Sequence, residues 1–244
     1  INAWPALMIM SSFIWLVVAG VLGLVLPATQ IFQAGEDHYY TAMTLHAAAL
    51  VFPFSVQLMM GVGLHRSGGC VGKAITGWLP AMTWLTMNLG SAILTVAVLM
   101  GLKVSLMVMF PLPLVGAQMG VWSMSSVIVG FTGIYLVLAS MILFYPMLII
   151  KMMFFGRKRA ELVLSERSLN DPGMLGMILS AMVLLLTGLP LVVVGTTLLL
   201  ALYHILPMSM AAWAADPVVF QYSFFFFAHN LMEAMAIMVA SAVY

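Results

Sequence analysis

Apolar residues fall along this chain in long unbroken blocks, with polar positions gathered between them rather than alternating among them. Six blocks reach 18 residues or more: about 3 to 27, 39 to 64, 74 to 101, 117 to 150, 172 to 206 and 217 to 244. Each is long enough for a helix to cross a bilayer core, which takes roughly 20 residues. Continuous runs suit helices; barrel strands alternate lipid-facing and lumen-facing residues. The pattern predicts an all-α polytopic membrane helical bundle of about six transmembrane helices. The whole of 1–244 reads as a single membrane domain, because the connections are too short to hold a soluble one.

Local signals place several helix ends. In "NDPG" (170 to 173) and "ADPV" (215 to 218) an Asp stands at the N-cap and a Pro at the first helical position, which opens the fifth and sixth helices. The second helix begins around "GEDHYY", whose acids suit the positive end of a helix dipole, and Pro53 should distort it midway. The connection "LKVSLMVMFPLPLVGA" between the third and fourth helices is apolar and holds two prolines, so it reads as an outer loop pressed on protein or lipid headgroups.

Composition agrees with a membrane location: 64% of the residues are hydrophobic and 6% charged, too few charges for a solvated shell. A net charge of +1 gives no reason to expect a nucleic-acid partner. Lys151, Arg157, Lys158, Arg159 and Arg167 lie in or beside the fourth connection, and Arg66 and Lys73 in the second. The positive-inside rule then makes these two connections cytoplasmic and puts the N-terminus inside. Cys70 is the only cysteine, so no internal disulfide can form. No cleavable signal is read at the N-terminus. An opening without Met and an end at Tyr244 without a basic anchor suggest a fragment, or one half of something larger. The 24 methionines scatter over all helices as soft packing residues; "GAQMG" (116 to 120) fits a small-xxx-small helix contact.

Ionisable residues inside membrane helices cost at least ~2.5 kcal/mol at the centre and mark a function or a partner. His38, in the first outer loop, His65, beside Arg66, and His204, near the outer end of helix five, read as interfacial. His46 and His229 lie deeper, roughly 12 Å and 18 Å inside helices that enter from the outer face, at 1.5 Å per residue. Two neutral imidazoles at similar depth can ligate neighbouring redox centres, or each can hydrogen-bond a neighbouring helix. Glu233 follows His229 by one turn, so the two share a helical face. Together they form a partial shell for a non-haem iron, which takes nitrogen and oxygen donors; an ordinary polar pair explains them as well.

Several of these stretches resemble the first half of subunit I of the haem-copper oxidase superfamily, most closely its B-type branch. "YYTAMTLHAAALVF" resembles the family's second helix, "MFPLPL" the "FYPPL" loop before helix four, and "ILPMSMAAWAADPVVFQYSFFFFAHNLMEAMA" the run into the sixth-helix histidine. The resemblance covers essentially the whole chain, and the last 40 residues are the most specific. It implies half of a twelve-helix fold, with His46 as an axial ligand of a low-spin haem. In oxygen reductases the sixth-helix motif reads His-Pro-x-Val-Tyr, with copper on the histidine and a cross-linked tyrosine. Here the residues are His229, Asn230, Leu231, Met232 and Glu233. A glutamate in the tyrosine position resembles nitric oxide reductases, in which a His-x-x-x-Glu pair helps hold a non-haem iron opposite a high-spin haem. Tyr244 matches a proton-path tyrosine of the B-type branch.

What the resemblance implies, then, is a membrane terminal reductase of the prokaryotic cytoplasmic membrane that carries b-type haem, low-spin and high-spin, and non-haem iron. It would reduce NO to N2O, with His229 and Glu233 at the catalytic metal. The helices that supply the other histidines are missing from this chain, so a C-terminal half or a second membrane chain is expected to provide them. The expected electron donor is a subunit carrying cytochrome c, a cupredoxin or a quinol. The alternatives are a haem-copper oxygen reductase (cytochrome c or quinol oxidase) with copper as the metal, and a non-catalytic haem-binding membrane subunit. A transporter with a proton relay is disfavoured by the lack of inverted repeats.

Overall fold

The computed structural model describes residues 3–33, 35–71, 75–102, 122–155 and 171–243. Among them the regular structure is entirely helical, and six helices are long and apolar enough to cross a membrane. The protein is an all-α polytopic bundle and an integral membrane protein. In chain order, α1 (Ala3–Ile31) forms the first span. The second joins α2 (Glu36–Ala49) to α3 (Gln57–Val71) through a π-helical segment at Leu50–Val56, and α4 (Trp78–Leu99) is the third. The fourth joins α5 (Met124–Leu138) to α6 (Tyr145–Phe155) through a π-helical segment at Ala139–Phe144. The fifth is α7 (Pro172–Leu202); a short α8 (Met208–Ala211) precedes the sixth, α9 (Pro217–Val243).

Both π segments answer a proline. Pro53 lies inside the first and lacks the N–H that an α-ladder needs, so the bonding pattern widens: the Ser55 hydroxyl donates to Leu50 O at 2.7 Å, and Gln57 N–H reaches back to Phe52 O. Pro146 follows the second, where Tyr145 N–H bonds Ser140 O, five residues back. Wider turns of this kind are one way that spanning helices absorb a proline in lipid; Pro27 and Pro190 sit within uninterrupted α-helix.

Helix starts follow the side-chain chemistry. Asp171 accepts from Met174 N–H at 2.9 Å and Asp216 from Val218 N–H at 2.8 Å, each just before a proline. These caps satisfy N–H groups that a helix leaves open at its first turn. The fourth span begins at Met124 rather than near 117 because Ser123 caps it, accepting from Ser126 N–H at 3.1 Å. The third begins at Trp78 rather than 74 because Gly77, at φ +103, turns the chain there. The fifth ends at Leu202, short of 206, in a turn that carries His204 at φ +56. His38, expected in a loop, occupies the first turn of α2 and is exposed.

Packing runs in chain order round the bundle: α1 against α2 and α3, α4 along α5, α7 along α9, with α3 touching both α7 and α9. The α4–α5 crossing is close enough to need glycine. A methyl group on Gly90 would stand 2.7 Å from Gly133 O, and one on Gly133 2.7 Å from Leu94 N, the small-residue approach typical of membrane helices. The expected small-residue contact at 116 to 120 and the proline loop lie outside the described residues. Methionines fill the core as their flexibility suggests: Met8, Met60, Met87, Met141, Met177 and Met238 are buried within one cluster. A second cluster, around Phe131, Leu198 and Phe220, closes the opposite end.

Candidate functional site

His46 and the His229–Glu233 pair occupy two separate places. At 1.5 Å per residue His46 lies roughly 15 Å from the start of α2, and His229 roughly 18 Å from the start of α9. His46 faces α1, and its Nδ1 is 2.8 Å from Ala19 O. A carbonyl oxygen only accepts, so Nδ1 carries the proton and Nε2 keeps its lone pair. This is the tautomer of a histidine that binds a metal through Nε2 while a backbone oxygen steadies its other nitrogen.

On α9 the helical spacing brings the other two residues together. His229 Nε2 and Glu233 Oε1 are 3.6 Å apart, with side chains 77% and 58% exposed. That gap is too wide for a hydrogen bond but within the reach of an ordinary ion pair one helical turn apart. It is near the roughly 3.0–3.4 Å that separates two donors held at about 2.1 Å from one ion. The donor set therefore fits part of a metal shell, one nitrogen and one carboxylate. No group of three or more His, Cys, Asp or Glu among the described residues could hold a metal ion, so a complete shell needs ligands from beyond them. His229 and Glu233 share their outward face with Tyr222, Phe226 and Met232, all exposed. A carboxylate turned out of a membrane helix is poorly solvated by hydrocarbon, so this face is suited to protein contact. Tyr244 lies outside the described residues.

Within the bundle is an apolar cavity of about 140 Å³, bounded by all the spans except the first, with Thr44, Phe52, Leu94, Phe131, Leu191 and Phe224 among its walls. Thr44, Ala48 and Phe52 present one face of the second span to it, whereas His46 turns the other way, to α1. His65 and Arg66 are exposed, as expected for an interfacial pair.

Sequence reading passed over a buried polar knot that ties the first three spans together. Gln57, only 1% exposed, donates to Met8 O at 3.0 Å and to the Ser11 hydroxyl. Trp84 Nε1 also donates to Ser11 Oγ, at 3.0 Å. Asn88 Nδ2 donates to Gln57 Oε1 at 3.0 Å, and Trp15 Nε1 donates to Asn88 Oδ1 at 2.9 Å. The signal was available: two amide side chains inside apolar runs ask for partners. Neither a protein-family model, nor a curated protein, nor a solved structure matches this chain.

Proposed function

We propose that this chain is the N-terminal part of the catalytic subunit of a nitric oxide reductase-like enzyme of the haem-copper oxidase superfamily. The reaction is 2 NO + 2 e⁻ + 2 H⁺ → N2O + H2O. The observation that carries this reading is the outward-facing His229–Glu233 pair, two donors at 3.6 Å on a membrane span with no third His, Cys, Asp or Glu donor beside them among the described residues. In this role His229 Nε2 and a Glu233 oxygen hold the non-haem iron, and His46 Nε2 binds a low-spin b-type haem. Haem and non-haem iron would, when bound, relay the electrons and provide the place where NO is reduced. The protein's part is to fix those donors at similar depths below one membrane surface and to keep water away with apolar spans. Glu233 also leaves a carboxylate oxygen free to take or release a proton beside the metal.

The remaining ligands come in this proposal from a C-terminal half or second membrane chain seated on the outer face of α9. Electrons come from a cytochrome c, cupredoxin or quinol donor. The bundle sits in a prokaryotic cytoplasmic membrane with its N-terminus in the cytoplasm, an orientation supported by the clustering of basic residues in the second and fourth connections. The test is the complex purified from its native membrane. Low-spin and high-spin b haem, iron in excess of haem and NO turnover are expected. Copper instead of that iron with rapid oxygen uptake and no NO turnover, or haem without any turnover, would overturn the assignment.

A further inference from the structure

We infer that Ala19 and Gly23 of α1 are the positioning element of His46, fixing both its tautomer and the tilt of its ring; the inference rests on the proposed role of His46 as a haem ligand. The two small residues stand one turn apart, and the imidazole lies across them. Ala19, fully buried, offers its carbonyl oxygen to Nδ1 at 2.8 Å. That oxygen already faces the N–H of Gly23 in the helix ladder, and its second lone pair takes the imidazole proton. Gly23 supplies clearance: a methyl group on it would fall 3.0 Å from His46 Cε1 and 3.2 Å from Nδ1. With glycine there, the ring rests on bare backbone, closer to α1 than any other residue type allows. The hydrogen bond fixes which nitrogen is free, and the slot fixes where it points.

The first span is itself held in register. Trp15 and Ser11, one and two turns before Ala19, are the α1 members of the knot with Gln57, Trp84 and Asn88. The axial and rotational setting of α1 is thus transmitted from the second and third spans to the Ala19 carbonyl. Outer-shell hydrogen bonds of this kind set the orientation and basicity of a ligating imidazole.

The test compares Gly23→Ala with Gly20→Ala in the intact complex. Gly20 is on the same helix, and a methyl group there meets nothing within 4 Å. Gly23→Ala is expected to retain low-spin haem but to shift its electron paramagnetic resonance g-values and its midpoint potential, because the ring must move by a few tenths of an ångström. Gly20→Ala should match the wild type. If the two variants are indistinguishable, the positioning role is wrong. His46→Ala separates this from the underlying reading: if it keeps the low-spin signal, His46 is no ligand and the functional proposal fails with it. A second measurement needs no haem. Nitrogen-15 spectra of histidine-labelled chain in bilayers, assigned with His46→Asn, should show a protonated Nδ1 and a bare Nε2 at His46; the opposite tautomer would refute the inference whatever the variants do.

Discussion

His46 and His229 are both histidines set well inside apolar helices, yet their surroundings differ completely. His46 is half-buried against its own chain: a carbonyl fixes its proton, a glycine fits its ring, and a hydrogen-bonded knot steadies the helix that provides both. His229 is turned outward, and the contact that accompanies it is a carboxylate one turn along the same helix. One position is packed and hydrogen-bonded against a neighbouring span of the same chain; the other stands exposed on the face of α9. The contrast teaches that burial inside one chain and functional readiness are separate matters in a membrane. An exposed pair can be the more incomplete site and still the more informative one.

The largest effect should come from the open position. Under the proposed function, His229→Ala should lower NO turnover by more than about 100-fold and remove the non-haem iron measured per complex, while leaving intact the low-spin haem spectrum proposed for His46; outer-shell changes alone cost 10–100-fold. Loss of both signals together would mean that the two positions are not independent. Next comes access to the α9 face. Single cysteines at Phe226 and Met232 should react with a membrane-soluble maleimide in the isolated chain and be protected in the complex, whereas a cysteine at Leu24 on α1 should react in both. Equal labelling everywhere would show that α9 faces lipid and not protein.

The knot gives a smaller effect on the other side of the comparison. Asn88→Leu leaves Gln57 Oε1 and Trp15 Nε1 without that partner, and an unsatisfied buried group costs about 1–3 kcal/mol. Stability against denaturing detergent should fall by that order, and the low-spin haem signal should broaden before the non-haem iron is lost. Smallest is the cap. Asp171→Ala should cost about 1 kcal/mol, seen in the same unfolding assay, with no change at either histidine; a change at one of them would mean that the fifth span reaches further than its contacts indicate.

Much of the fold was legible because membrane helices announce themselves by length. The six blocks, the caps at Asp171 and Asp216 and the distortion at Pro53 all follow from residues seen locally. Less legible were ends set by single backbone events. The capping hydroxyl of Ser123, the positive φ of Gly77 and the π segment before Pro146 each moved a boundary or changed a turn that hydropathy alone leaves smooth. At the candidate site, helical spacing was enough to bring His229 and Glu233 together. The direction in which they point was not readable, because a helix that is apolar on every side carries no moment to tell protein from lipid. The alliance of His46 with Ala19 and Gly23 depends on which helices touch, and that is a property of the assembled bundle.

The π segment at Leu50–Val56 has a consequence for how substitutions in the second span should be chosen. One surplus residue in a turn offsets the helical wheel by about 100°, so the stripe that begins with Thr44 and Ala48 does not continue in phase beyond Gln57. Deleting one residue inside the segment would bring the wheel back into step but swing everything downstream round the axis, carrying Gln57 off Met8 and Asn88 and turning a different edge of α3 toward α7 and α9. The bulge works as a swivel that lets two halves of one rod address two different sets of neighbours.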